Sequence, residues 1–202
     1  MSVTPRQFEQ LKARLSGARR VAQPVFESSL RPAPGGTQII IGIDPSLRGT
    51  GFGVIKVARP QPVALAHGTI ACPPGWEHSR CLLKIMRTLR EVCAKHHPTV
   101  CAIEGLFYAQ NLQTALTLGE ARGAALAAMA EAGLDIYEIA PRKVKQAVAG
   151  YGAAHKEAVA KMAQRLLHLA ATPAPDAADA LAVALAHAQD TSRYSLIAPK
   201  KI

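Results

Sequence analysis

An α/β fold is predicted for this chain: a mixed five-stranded sheet flanked by helices, within a single domain. Three observations predict it. Three short β-branched or alternating runs come first, joined by hairpin-like turns, and two further apolar runs then alternate with long Ala- and Leu-rich segments of helical period. Strands as a meander, followed by strands alternating with helices, give a mixed rather than a purely parallel sheet. A length of 202 residues with 49% apolar and 19% charged residues suits one core that stands without staples.

In order along the chain, residues 1–37 read as a basic extension with Arg6, Lys12, Arg14, Arg19 and Arg20 in a pattern compatible with a short amphipathic helix from Thr4 to Val21. The segment Arg31-Pro32-Ala33-Pro34-Gly35-Gly36 holds too much Pro and Gly for regular structure, so it reads as a linker, and the ordered domain is expected to span 38–190. Strands are expected at Gln38 to Ile43, Gly51 to Val57 and Pro62 to Ala71, and a helix from Glu77 to Lys95. A buried strand at Thr99 to Ile103, a helix from Leu112 to Ala132, a strand at Asp135 to Ile139 and three more helical segments complete the domain. Residues 191–202 lack periodicity, carry Lys200 and Lys201, and read as a frayed basic tail.

Charge narrows the function. With 24 Lys and Arg against 14 Asp and Glu, the formal charge is +10 and the pI near 9.8. Dispersed cations of this number point to a polyanion, since neutralising phosphates releases condensed counterions; a membrane surface is the weaker reading. No apolar stretch reaches the roughly 18 residues of a membrane span. Cys72, Cys81, Cys93 and Cys101 show no C-x-x-C spacing and no signal peptide is recognised, so reduced structural thiols and a cytoplasmic location are expected.

In so basic a chain, carboxylates at the ends of apolar runs need a reason. Asp44 ends Ile41-Gly42-Ile43, and Glu104 follows Val100-Cys101-Ala102-Ile103, where an acid is buried unless paired or coordinated. Asp44-Pro45 by itself would pass for a turn initiator. Asp176 and Asp179, three apart in Pro175-Asp176-Ala177-Ala178-Asp179, share one helix face, and their repulsion calls for a cation. Asp176 alone would be explained by the helix macrodipole, Asp179 less well. These four are the candidate metal ligands and catalytic residues. The Gly-rich return Gly49-Thr50-Gly51-Phe52-Gly53 is expected to keep backbone bulk away from a phosphate. Phe107 and Tyr108, just beyond Glu104, are candidates to stack on splayed bases, and Arg142, Lys143, Lys145 and Lys156 to contact phosphates. His155 is a weaker candidate for proton transfer, and His96-His97 reads as structural.

Over roughly Gln38 to Asp190 the chain resembles the RuvC family of bacterial Holliday-junction resolvases. The resemblance rests on Gly42-Ile43-Asp44-Pro45 with Thr50-Gly51-Phe52-Gly53-Val54; Ala102-Ile103-Glu104 with Phe107 and Asn111; Leu118-Gly119-Glu120-Ala121-Arg122-Gly123; and Asp176-Ala177-Ala178-Asp179-Ala180-Leu181-Ala182. Pro141-Arg142-Lys143-Val144-Lys145-Gln146 looks like the family's basic segment. The resemblance implies an RNase H-like fold, a homodimer, and a nuclease needing Mg2+, or Mn2+ in its place, with two ions per subunit. Its four catalytic acids fall on Asp44, Glu104, Asp176 and Asp179, with Asp44 expected to bridge the two ions. It implies four-way junction DNA as substrate, resolved by paired symmetric nicks in recombination and repair. It also implies partnership with the RuvA and RuvB branch-migration complex. The dimer contact is implied on the helix from Leu112 to Ala132, where Ala115, Gly119, Arg122-Gly123 and Ala127 offer small residues. Ser46 stands where the family usually has Gly, which would strain the turn if that position needed a positive φ. The alternatives are another RNase H-like nuclease acting on branched or RNA-containing substrates, and a non-catalytic junction-binding module.

Overall fold

The computed structural model describes residues 38–105, 111–192 and 200–202, the last three helical residues by backbone alone. The sequence-predicted helix from Thr4 to Val21 and the rings of Phe107 and Tyr108 lie outside the described residues.

Strands β1 (Ile39–Asp44), β2 (Gly49–Lys56) and β3 (Val63–Ala71) form the expected antiparallel meander. Helix α1 (His78–His96) leads to β4 (Val100–Glu104), and α2 (Leu112–Glu131) leads to β5 (Asp135–Ile139). Both strands join parallel to β1 and to each other, as crossover connections through helices require. Helices α3 (Pro141–Ala149), α4 (Lys156–Leu166) and α5 (Pro175–Ser192) follow. The strand order is β3-β2-β1-β4-β5-β6. The sixth strand, β6 (Lys200–Lys201), corrects the predicted tail: Tyr137 pairs with Lys201 and Glu138 with Lys200, so two residues of an aperiodic segment extend the sheet past β5. Helix α5 also runs to Ser192, beyond the predicted boundary at 190.

Side chains alternate across the sheet and split the core in two. Ile41, Ile43, Cys101, Ile103 and Ile136 face α1 and α2, whose buried stripes are Cys81, Ile85, Leu89, Cys93 and Ala121, Ala125, Ala128, Met129. Ile40, Ala102 and Ile139 face the other way, onto α5, with α3 and α4 packed outside it. Covered by the sheet on one side and by two helices on the other, α5 is apolar all round, and Ala180 to His187 are buried without a break. Asn111 caps α2, its side chain accepting from the Thr114 N–H at 2.8 Å. His97 ends α1 in the left-handed conformation with its N–H on the Cys93 carbonyl, which bears out the structural reading of that histidine. All four cysteines are buried free thiols.

The turn after β1 needs no left-handed residue. His97 and His168 are the non-glycine residues with positive φ among those described, and Ser46 is not one of them. The Thr50 hydroxyl closes this turn by donating to the Ser46 carbonyl at 2.5 Å and lying 3.2 Å from the Ser46 N–H.

Candidate active site

Ile43 of β1 lies opposite Ile103 of β4 in parallel register, so the next residues, Asp44 and Glu104, end neighbouring strands at the same edge of the sheet. Alternation turns both carboxylates toward α5, on the side shared by Ile40 and Ala102. The first turn of α5 lies over this edge. A side chain on Gly51, the partner of Asp44 across β2, would overlap the Asp176 carbonyl oxygen, and one on Gly42 would overlap that of Ala180. Both glycines therefore serve helix approach, and for Gly51 this replaces the phosphate clearance that the sequence suggested. The Asp176 carboxylate sits beside Gly49, with Oδ2 2.8 Å from the place a Cβ would take.

Asp44, Glu104 and Asp179 form one electrostatic group. The Asp44 pKa is pushed up to about 8, first by burial, then by the charge of Glu104, a hydrogen bond shared with Glu104, and the charge of Asp179. Glu104 is also raised, chiefly by burial and then by Asp179, while its hydrogen bond with Asp44 acts the other way. Two half-buried carboxyls in contact favour holding one proton between them. Lys156 at the start of α4 lowers both, and its Nζ lies 2.7 Å from Asp179 Oδ2. Two ammoniums, Lys156 and the more distant Lys145, face three carboxylates, so the fully ionised group is short of positive charge, which an oxygen-seeking divalent cation would supply. Among the described residues no three acidic, His or Cys side chains are yet gathered tightly enough to ligate a single ion.

Since ligation uses the carboxylate and not the acid, metal uptake must expel the shared proton. Metal affinity is therefore expected to climb with pH, by up to roughly tenfold per unit, and to level off near pH 8. Isothermal titration in buffers of different ionisation enthalpy checks this through the proton released per site; a pH-independent affinity contradicts it.

The sequence-predicted phosphate contacts occupy α3 and α4. Lys145 is half-buried and close enough to lower the Glu104 pKa; Arg142 is exposed and packs on Gly152; Lys143 is half-buried. His155 precedes α4 as its exposed N-cap. Arg122, assigned from sequence to the small-residue face of α2, is instead turned inward and buried. It donates to the Glu104 carbonyl at 2.5 Å and pairs with the Glu138 carboxylate. From the sequence, Arg122 had no role at the site and Glu138 was not singled out. The available signal was Glu138, an acid between Tyr137 and Ile139 in a short strand.

The family model for the crossover junction endodeoxyribonuclease RuvC matches residues 40–187, which include all four acids. The chain belongs to the RuvC family. Among its relatives, the RuvC crossover junction endodeoxyribonuclease of Bordetella avium is 45% identical over 160 residues, covering 79% of this chain and 88% of that one. That of Pseudomonas putida is 46% identical over 159 residues, covering 79% and 90%. T. thermophilus RuvC, solved in complex with a Holliday junction substrate, superposes with a TM-score of 0.74 at 34% identity, covering 82% of this chain and 99% of that one. The mixed sheet with flanking helices is thus the RNase H-like fold of RuvC, with a sixth strand added to the five expected. RuvC enzymes are metal-dependent nucleases. No described helix is long and apolar enough to cross a membrane.

Proposed function

We propose that this RuvC-family chain resolves four-way DNA junctions by paired symmetric nicks, with Asp44, Glu104, Asp176 and Asp179 holding Mg2+, or Mn2+ in its place, as two ions per subunit. The observation that carries this reading is the meeting of Asp44, Glu104 and Asp179 at one end of the sheet, a group of acids only partly compensated by Lys156 and Lys145 in a chain of charge +10. Such a group repels DNA unless cations intervene, and the surrounding Lys and Arg draw DNA to it. Divalent ions bound there would lower the pKa of water and neutralise charge developing on a phosphate. Asp44, which interacts with both Glu104 and Asp179, would be the carboxylate shared between the two ions. Asp179 with Asp176 would complete one ion's ligands and Glu104 the other's. For Asp179 to ligate an ion, its pairing with the Lys156 ammonium would have to give way.

The Lys156 side chain is 75% exposed and so can turn from Asp179 to a phosphate. Lys156→Ala is expected to weaken junction binding across sequences and to reduce the slope of log Kd against log salt by about 1. Binding titrations at several salt concentrations check it; an unchanged slope removes Lys156 from the phosphate contacts. Lys145, Arg142 and Lys143 are proposed as further phosphate contacts, and Phe107 and Tyr108 as stacking residues.

For a homodimer, α2 offers an outer face with Leu112 75% and Leu116 54% exposed, beside open space at Gly119 and Gly123. Two sites related by a two-fold axis would face one junction and coordinate the paired cuts. Leu116→Asp is expected to give a monomer by sedimentation velocity and to uncouple the two nicks; a dimer that still nicks in pairs refutes this face. RuvA and RuvB are proposed to act on the same junction, which co-sedimentation of the chain with RuvA–RuvB–junction complexes tests.

The nuclease unit is proposed to begin at residue 38 and to include α5 through Ser192 and β6, with 1–37 a basic extension. The deciding experiment compares a mobile four-way junction with a linear duplex of the same sequence, in Mg2+, in Mn2+ and in chelator, with and without residues 1–37. Ligatable paired nicks on the junction alone, lost in chelator and unaffected by the truncation, are expected. Binding without nicks would leave a junction-binding module, and cutting of hybrid or other branched substrates a related nuclease.

A further inference from the structure

Among the described residues, Arg122 is the one buried Lys or Arg, and it is neither a proposed metal ligand nor a proposed DNA contact. Its placement is specific. Gly105 donates its N–H to the Ile139 carbonyl at 2.9 Å, so alternation along β4 turns the Glu104 carbonyl away from β5, toward β1. There the pairing with β1 has ended at Ile43–Ile103, which leaves this carbonyl without a strand partner. Arg122 Nη1 supplies the missing donor at 2.5 Å. The second arm of the guanidinium pairs with Glu138, whose side chain lies on the α1/α2 face of the sheet. The Glu104 carboxylate projects from the opposite face. Arg122 thus grips the backbone of Glu104 from behind, and the rigid fork of a guanidinium fixes both bonds at once.

From this geometry we infer that Arg122 is a positioning residue that aims the Glu104 carboxylate at the metal site. The inference rests on the reading of Glu104 as a metal ligand. Stability alone is a poor reason for the arrangement, because a buried ion pair can often be replaced by apolar residues of similar volume without loss. A partner that orients a ligand, however, is typically worth about 10- to 100-fold in metal affinity or activity.

The test uses the full chain with the substitutions Arg122→Met, Arg122→Lys, Glu138→Gln and, as a control for lost packing, Leu89→Ala in the buried α1–α2 core. Junction cleavage is titrated with Mn2+, alongside junction affinity in chelator and thermal melting. Arg122→Met is expected to raise the Mn2+ midpoint by about tenfold and to slow single-turnover cleavage at saturating metal by a similar factor. Junction affinity should stay within about twofold, since Arg122 acts on the metal ligand and not on DNA. Arg122→Lys should recover part of the loss, and Leu89→Ala should leave the midpoint in place whatever it does to melting. A wild-type midpoint in Arg122→Met, or an equal shift in Leu89→Ala, overturns the inference. If Arg122→Met does not fold, Glu138→Gln decides: a raised midpoint supports the inference and an unchanged one overturns it. Glu104→Gln separates the two levels. Full activity in that variant refutes the metal role of Glu104 itself, whereas an inactive Glu104→Gln beside a wild-type Arg122→Met refutes the positioning role only.

Discussion

Asp44→Asn is expected to slow metal-dependent junction cleavage by a factor on the order of 10³, while making the metal-free protein more stable than wild type at neutral and alkaline pH. Both effects follow from one perturbed group. Burial and the neighbouring acids hold the Asp44 pKa near 8, so its charged form is disfavoured in the fold. In the unfolded chain the same carboxyl ionises at its ordinary value of 3.8. Between these values the folded state binds the additional proton, and stability falls as pH rises. Asn has the same shape without the charge, so its advantage in chelator should grow from about pH 4 to about pH 8 and then remain constant. Metal reverses the order, since a cation bound only by the folded wild type stabilises it by mass action and the mutant loses that gain. Thermal melts at pH 5 and 8, in chelator and in Mg2+, read all four corners. Undiminished cleavage would remove Asp44 from the chemistry. A mutant whose relative stability in chelator drops between pH 5 and 8 would contradict the electrostatic account.

The same carboxylates explain how much of the site was legible in the sequence. Asp44 and Glu104 stand out because each ends a run of residues that cannot face water, and an acid there costs free energy unless something compensates it. Asp176 and Asp179 stand out through helical spacing. The elements themselves followed from period-2 runs and from apolar stripes such as Cys81, Ile85, Leu89 and Cys93, with boundaries within two residues for β1 to β5, α1 and α2. Arg122 was not legible in this way. In an Ala-rich helix, Arg122 beside Gly123 reads as part of the small-residue face, and its partners lie on two separate strands whose register no local pattern reveals. Strand β6 was hidden for a related reason, since two residues are too few to show a period and their pairing with β5 is decided in three dimensions. Gly42 and Gly51 were noticed, but their purpose depends on which helix crosses the sheet above them.

That crossing makes Gly51→Ala the substitution expected to do most damage to the fold. A methyl at Gly51 would overlap the backbone oxygen of Asp176 and lie 3.3 Å from the Ala177 nitrogen. These are main-chain atoms in the first turn of a helix, and no rotamer change can move them aside. Relief requires α5 to lift from β2 or slide along it, and overpacking of this kind costs about 3 kcal/mol. In a domain of this size that is a fall in Tm of roughly 6 to 12 °C. Gly75→Ala, with nothing within 4 Å of the added carbon, is the matched control and should melt like wild type. The displacement also has a catalytic signature. Gly51 is the strand partner of Asp44, and α5 carries Asp176 and Asp179, so the shift that admits the methyl group separates the acids that must act together. Cleavage by the folded fraction of Gly51→Ala should therefore fall well beyond what its lost stability explains, with a raised Mg2+ midpoint. Wild-type melting in this variant would mean that α5 does not sit on β2 as described. Lost stability with an unchanged metal midpoint would mean that the acids on α5 are positioned by something other than its contact with the sheet.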